Sequence, residues 1–220
     1  MSHQNYRRYF VGSIVSNIGT WMQRVAQDWL VLTIPGNGGA ALGITTGLQF
    51  LPILLLSPYA GVVADRFPKR RVLQLTQGTM ALASLLLGVI AALGVAQTWH
   101  VYVIAFAFGI GAAFDGPVRQ AFVSEMVGPD DVTNAVGLNS AAFNTARIVG
   151  PALAGLLIGL FGGGMEATGW VILINAASYL AVIWQLEQWT PARCTHQHRP
   201  GDAPGCCSRD CATCAASRRC

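Results

Sequence analysis

The chain has 220 residues, of which 53% are hydrophobic and only 11% charged, with a formal net charge of +4. A soluble domain carries about 25% charged residues, and here long windows carry none, so composition excludes a soluble globular domain and indicates a polytopic membrane protein. The cations sit in loops facing one side, which gives them a topological role and excludes a nucleic-acid footprint.

A membrane helix needs roughly 20 mostly apolar residues. Six segments are predicted: about Tyr9 to Ile34, Leu42 to Ala64, Val72 to Val95, His100 to Val123, Ala135 to Phe161 and Trp170 to Trp189. They make residues 1–189 an all-α transmembrane unit. The first span has no small-residue cleavage site after it, so it reads as a retained helix rather than a signal peptide.

That first span is the most polar. On a helical wheel Ser13, Ser16, Asn17, Thr20, Gln23, Arg24, Gln27 and Asp28 fall within an arc of about 140°. Val11, Ile14, Val15, Ile18, Trp21, Met22, Val25 and Trp29 fill the other side. Such a stripe cannot face lipid, because unpaired polar groups there are costly. It must line a water-filled cavity or a polar helix interface. Arg24 and Asp28 are four apart and can pair on one face. An intramembrane pair of this kind is a functional-site hypothesis by default, with Asp28 as the group that binds and releases a proton. The plainer alternative is a neutralised pair that only orients the helix.

Between the second and third spans lies Gly61-Val62-Val63-Ala64-Asp65-Arg66-Phe67-Pro68-Lys69-Arg70-Arg71. A short basic turn between two bilayer-length helices marks the cytoplasmic side. The fourth span ends in Asp115-Gly116-Pro117-Val118-Arg119-Gln120. Asp115 and Arg119 again have i, i+4 spacing, and Gly116-Pro117 invites a kink. Arg119 then points either to a cavity or gate, or to the headgroups. In the fifth span Ser140, Asn144 and Arg147 share a face, and Arg147 lies well inside apolar sequence. The same span carries Gly137, Gly150-Pro151 and Gly155, small positions that let helices approach closely in lipid.

Loop charge sets the orientation. Arg7 and Arg8, the basic turn, and Arg193 and Arg199 lie on one side; residues 35–41, 96–99 and 162–169 contain no Lys or Arg. Both termini are therefore expected in the cytoplasm. The loop before the fifth span, with Glu125, Asp130 and Asp131, contributes little to this rule.

Two motifs together resemble the major facilitator superfamily. The basic turn is similar to its Gly-x-x-x-Asp-Arg-x-Gly-Arg-Arg/Lys signature, with Pro68 at the usual glycine. The fifth span is similar to its antiporter signature, Gly-x8-Gly-x3-Gly-Pro-x2-Gly-Gly, with Ala146 and Ala154 in place of two glycines. The stretches Gly19 to Ala26 and Asp115 to Phe122 resemble the bacterial branch of enterobactin-exporter-like proteins and transmembrane secretion effectors. The resemblance covers about residues 5–189 and implies the N-terminal six-helix half of that fold.

It also implies a proton-coupled exporter of a small organic molecule, of the drug or siderophore class, working by alternating access in a bacterial inner membrane. The substrate and proton pathway would be Asn17, Arg24, Gln27, Asp28, Arg119, Asn144 and Arg147. The cytoplasmic gate would be Gly61, Asp65, Arg66, Lys69 and Arg70, and Gly137, Gly150, Pro151 and Gly155 would shape the fifth helix where two halves meet. Besides the lipid bilayer, substrate and protons, the implied partner is a C-terminal half or a second copy. On that expectation the meeting face of an isolated half exposes Arg24, Arg147 and the glycine-rich surfaces.

Composition changes abruptly after Trp189. Residues 190–220 hold all six cysteines, have little apolar periodicity and read as a disordered tail. The preferred account is out-of-frame translation in a GC-rich gene. Only Cys211 and Cys214 have the short spacing of a zinc site, which needs two such pairs, so no metal is expected, and no cofactor. No activated nucleophile, metal cluster or phosphate loop supports an enzyme. The remaining alternative to a transporter half is a half-size protein acting as a homodimer or a non-transporting subunit.

Overall fold

The computed structural model describes residues 2–127 and 132–187; the tail expected from Thr190 lies outside them. These residues form six helices: α1 Ser2–Thr33, α2 Gly39–Arg66, α3 Lys69–Ala92, α4 Thr98–Met126, α5 Val132–Leu160 and α6 Met165–Glu187. Each begins before its expected first residue, because hydropathy marks the apolar stretch and not the polar turns that cap it. The α1–α2, α3–α4 and α5–α6 turns are short and glycine-bearing. Gly36, Gly94, Gly162 and Gly163 take positive φ there, a region open to glycine at little cost. At α4, Gln97 and His100 form a reciprocal capping box. The helical runs continue through Pro52, Pro58, Pro117 and Pro151.

Five helices are long and apolar enough to cross a membrane; α1 is the exception. Its 32 residues extend about 48 Å at 1.5 Å per residue, so length suffices. The polar stripe is what lowers its hydropathy. The six-span expectation therefore holds by helix count and not by composition alone.

α1 packs against α5 and α6, α3 against α6 and α4, and α2 against α4. Close approach at glycine underlies each of these pairs. A β-carbon at Gly150 would lie 2.7 Å from Trp21 Cβ and 2.8 Å from the Ile18 carbonyl, at Gly109 2.7 Å from the Gln49 carbonyl, and at Gly111 2.7 Å from Met80 Cγ. In a bilayer, where burial of apolar surface gives no advantage over lipid, such backbone proximity is what holds helices together. The apolar interior is built from Leu30, Met80, Leu87, Phe108, Ile172 and Tyr179. Large apolar side chains such as Leu75 and Leu82 on α3 and Leu180 on α6 project outward, as lipid demands.

The bundle is not covered evenly. Only 22% of the apolar windows of α2 and α5 is buried, against 50% in α3, α4 and α6. Gly137, Gly155 and Gly159 on α5, and Gly61 on α2, have open space beside them. The two faces of the fifth helix thus differ sharply. Gly150→Leu should force α1 and α5 apart and destabilise the bundle by about 1–3 kcal/mol, the usual cost of overpacking. Gly155→Leu, with no neighbour to meet, should leave the thermal midpoint of the detergent-solubilised chain unchanged. Equal midpoints for both variants would contradict the α1–α5 contact.

Candidate functional site

The polar edge of α1 runs inside the bundle. Ser13, Ser16, Asn17, Gln23, Arg24 and Gln27 are buried, and Thr20 and Asp28 are half-buried. Of the two environments open to this stripe, most of it occupies a polar helix interface, arranged in three tiers.

The first tier lies toward the basic α2–α3 turn and ties α1, α3 and α4 together. Arg119 donates from Nε (3.1 Å) and Nη2 (2.8 Å) to Asp115 Oδ2, and from Nη1 to Ser13 Oγ at 2.6 Å. Asp115 Oδ1 accepts from Gln77 Nε2 at 2.6 Å and from Thr76 Oγ1 at 3.3 Å. Ser16 Oγ donates to Gln77 Oε1 at 3.2 Å. Arg119 is only 5% exposed. Its charge is neutralised within one helical turn, with Nε and Nη2 taken up by Asp115 on α4 and Nη1 reaching Ser13 on α1.

The second tier joins α1 to α6. Asn175 Nδ2 donates to Gln23 Oε1 at 3.0 Å, and the Thr20 and Tyr179 hydroxyls are 2.8 Å apart. Asn175 also fills the space beside Gly19, which leaves no room for a larger residue there. Neither Asn175 nor Tyr179 is singled out by the sequence, since the sixth span is otherwise strongly apolar.

The third tier differs from the first two. Asp28 does not pair with Arg24; among the described residues no salt bridge links them. Asp28 Oδ1 instead accepts from Gln49 Nε2 at 3.1 Å and Thr46 Oγ1 at 3.3 Å, both on α2. Residues on the facing helix reach the carboxylate before its own helical neighbour does. Arg24 is held between aromatic rings, its guanidinium carbon 4.4 Å from the Phe50 centroid and 5.1 Å from that of Trp21. Those rings also bury it, so Arg24 is not exposed on the bundle surface as expected for an isolated half. Arg24 Nε and Nη1, both polar side-chain atoms of Gln27, and Gln49 Oε1 are buried with no hydrogen-bond partner among the described residues. A buried group left unsatisfied costs about 1–3 kcal/mol, so this cluster concentrates unmet hydrogen bonding in one place.

On α5, Asn144 and Arg147 are exposed rather than gathered into the interior. Asn144 Nδ2 donates back to the Ser140 carbonyl at 2.9 Å, and Arg147 lies over Trp21 at 5.4 Å. Gly150 contacts α1, Pro151 is half-buried, and Gly137 and Gly155 face open space. In the basic turn Asp65 and Arg66 are exposed, and Lys69 and Arg70 are half-buried. The Phe67 amide donates to the Val63 carbonyl at 3.1 Å and closes α2 at this point. Among the described residues no group of three or more His, Cys, Asp or Glu side chains could hold a metal.

The chain matches the family model described as "Transmembrane secretion effector" over residues 1–202. It is similar to the staphyloferrin A transporter of Staphylococcus aureus, 33% identical over 154 residues, which is 70% of this chain and 38% of that protein. It is similar to the multidrug efflux pump Tap of Mycolicibacterium fortuitum, 31% identical over 158 residues, 69% of this chain and 38% of that one. It also matches macrolide efflux protein A of Streptococcus pyogenes, 28% identical over 57% of this chain and 31% of that protein. The chain thus spans well under half the length of these curated relatives. Six helices, a polar interior lining α1 and a family match over residues 1–202 make this a multi-pass membrane protein and not an enzyme: it belongs to the transmembrane secretion effector family of major facilitator superfamily transporters.

Proposed function

We propose that the chain forms the N-terminal half of a proton-coupled exporter of small organic molecules, of the drug or siderophore class, that works by alternating access. The observation that carries this reading is Asp28: a half-buried carboxylate near the end of α1 away from the basic turn, hydrogen-bonded among the described residues by the neutral groups Thr46 and Gln49. Hydrogen bonds to a carboxylate are roughly twice as strong as those between neutral groups. Protonating Asp28 therefore loosens the α1–α2 tie at that end, while the Asp115–Arg119 tie at the other end is untouched. A proton arriving or leaving becomes a change in how tightly two helices are held.

The residues then divide by role. Arg24, Gln27 and Asn17 belong with Asp28 on the pathway. Arg119 is a positioning residue that fixes α1 against α4. Asn144 and Arg147, with Gly137 and Gly155, lie on the face that meets a second six-helix body, whether a C-terminal half or another copy. Gly61, Asp65, Arg66, Lys69 and Arg70 form the cytoplasmic gate at the turn where they are found. The relatives' printed names, a staphyloferrin A transporter and drug efflux pumps, support the substrate class and the outward direction.

Asp28→Asn should abolish proton-coupled efflux from everted or intact cells expressing the gene while leaving membrane protein levels normal. Unchanged efflux would remove Asp28 as the proton carrier.

The proposed orientation places both termini in the cytoplasm of a bacterial inner membrane. The cysteines make this simple to read, because all six lie between Cys194 and Cys220. A membrane-impermeant maleimide should label them only after permeabilisation. Gly164→Cys, introduced in the open α5–α6 turn of a cysteine-free background, should be labelled in intact cells. The reverse pattern would invert the topology.

A further inference from the structure

The cluster around Arg24 is unlike the rest of the polar interior. Arg119 has acceptors for its Nε, Nη1 and Nη2 donors. Arg24 is as deeply placed, at 8% exposed against 5%, yet its Nε and Nη1 have none. These two atoms lie on different edges of the guanidinium, so both edges carry a hydrogen with no acceptor. Asp28 does not satisfy them: among the described residues no hydrogen bond or salt bridge joins the two, and Asp28 Oδ1 is engaged by α2. Gln27 is completely buried beside this group with both its amide oxygen and nitrogen unpartnered.

Next to this cluster lies an apolar groove of about 490 Å³ along α2, lined by Gly47, Phe50, Leu51, Ile53 and Leu54. Phe50 is common to both features. One face of its ring environment is the Arg24 guanidinium at 4.4 Å, and the residue is 43% exposed. Phe50 is therefore the wall between an apolar groove and a buried cation with unmet donors.

We infer that Arg24 is the recognition residue for an anionic group, a carboxylate, carried by an amphipathic organic substrate whose apolar body occupies the α2 groove. The inference rests on the transporter reading and adds the charge of the substrate to it. A guanidinium offers donors and no acceptor, so a cation or a hydrogen-bond donor gains nothing there. A carboxylate accepts two N–H groups along one guanidinium edge, the geometry that makes arginine the preferred partner for planar anions. Gln27, with a free donor and a free acceptor, suits a hydroxyl or amide beside the carboxylate. The Phe50 and Trp21 rings that now hold the cation supply the contact that the anion replaces or supplements.

The test is calorimetric binding to the purified 220-residue chain in phosphatidylcholine nanodiscs. Three probes share one apolar body: 4-phenylbutyrate, 4-phenylbutanamide and 4-phenylbutylamine. The carboxylate should bind at least about tenfold more tightly than either of the others, the factor expected of a charge-assisted contact. In Arg24→Gln that preference should fall to within about twofold. Should that variant not fold, Arg24→Lys decides. It keeps the charge and loses the planar fork, so it should still prefer the carboxylate but bind it about threefold or more weakly than the parent. Equal binding of the three probes, tighter binding of the amine, or no binding by any of them overturns the inference. So does a carboxylate preference that survives Arg24→Gln, or an Arg24→Lys protein that binds all three as the parent does. Efflux from cells is measured separately. Absence of anion preference in the parent protein with efflux intact removes the recognition role alone, whereas absence of efflux by the parent removes the transporter reading as well.

Discussion

Everything in this bundle follows from one constraint: the polar edge of α1 has to be kept away from lipid. In hydrocarbon no water is present to satisfy it, so the other helices must be arranged to do so. Gln77 and Arg119 come from α3 and α4, Asn175 and Tyr179 from α6, and Thr46 and Gln49 from α2. The position of α1 at the centre of four partners is thus a consequence of its side chains rather than of its hydropathy. The Asp115–Arg119 pair illustrates the energetics. A buried pair contributes little net stability, because desolvation offsets most of the attraction, yet removing one partner leaves an uncompensated charge and costs about 3–5 kcal/mol. Its value is register: the donors of Arg119 and the oxygens of Asp115 reach α1 and α3 in only one alignment.

The ends of the α1 stripe are satisfied to different degrees, and that asymmetry has mechanical meaning. Toward the basic turn the hydrogen bonding is closed. Toward the other end it is open, with Arg24, Gln27 and Gln49 short of partners. A closed network resists rearrangement, since any movement breaks several bonds at once. An open one gives way to whatever supplies the missing partners, whether a substrate group, water or a shift of helix α2. The proposed alternating access would use a site that can exchange its partners beside a frame that does not move, and one helix carries both an open and a closed network.

Much of the architecture was legible in the sequence, because bilayer thickness converts directly into the length of apolar runs. The polar stripe of α1 was legible too, since period alone places Ser13 through Asp28 on one arc. What they would touch was not. The spacing of Arg24 and Asp28 matched that of Asp115 and Arg119, yet only the latter pair forms. An i, i+4 relation reports what is available on one helix and says nothing of competitors on the next; Thr46 and Gln49 compete for Asp28, whereas Gln77 and Thr76 share Asp115 with Arg119. Asn175, Tyr179, Gln77 and Gln49 carried no signal for the same reason. A few neutral polar residues in an apolar helix acquire meaning only when the rotation of that helix and its neighbours are fixed.

The exposed faces of α2 and α5 bring the same physics to the surface. Arg147 projects from the middle of an apolar span with only the Trp21 ring as a described contact, and Gly137, Gly155 and Gly61 leave shallow strips of bare backbone beside open space. A charged group and close-packing sites on the same side are poor lipid-facing surface, since the charge is costly there and the glycines forgo the contacts that a larger side chain would make. Both features are suited to another helix surface, which can supply an acceptor for Arg147 and side chains to fill the glycine strips. The relatives, more than twice as long as the part matched here, have chain enough to provide one. On the proposed reading of the chain as one half of a transporter, a second six-helix body would meet the fifth helix with an acidic or otherwise accepting group opposite Arg147.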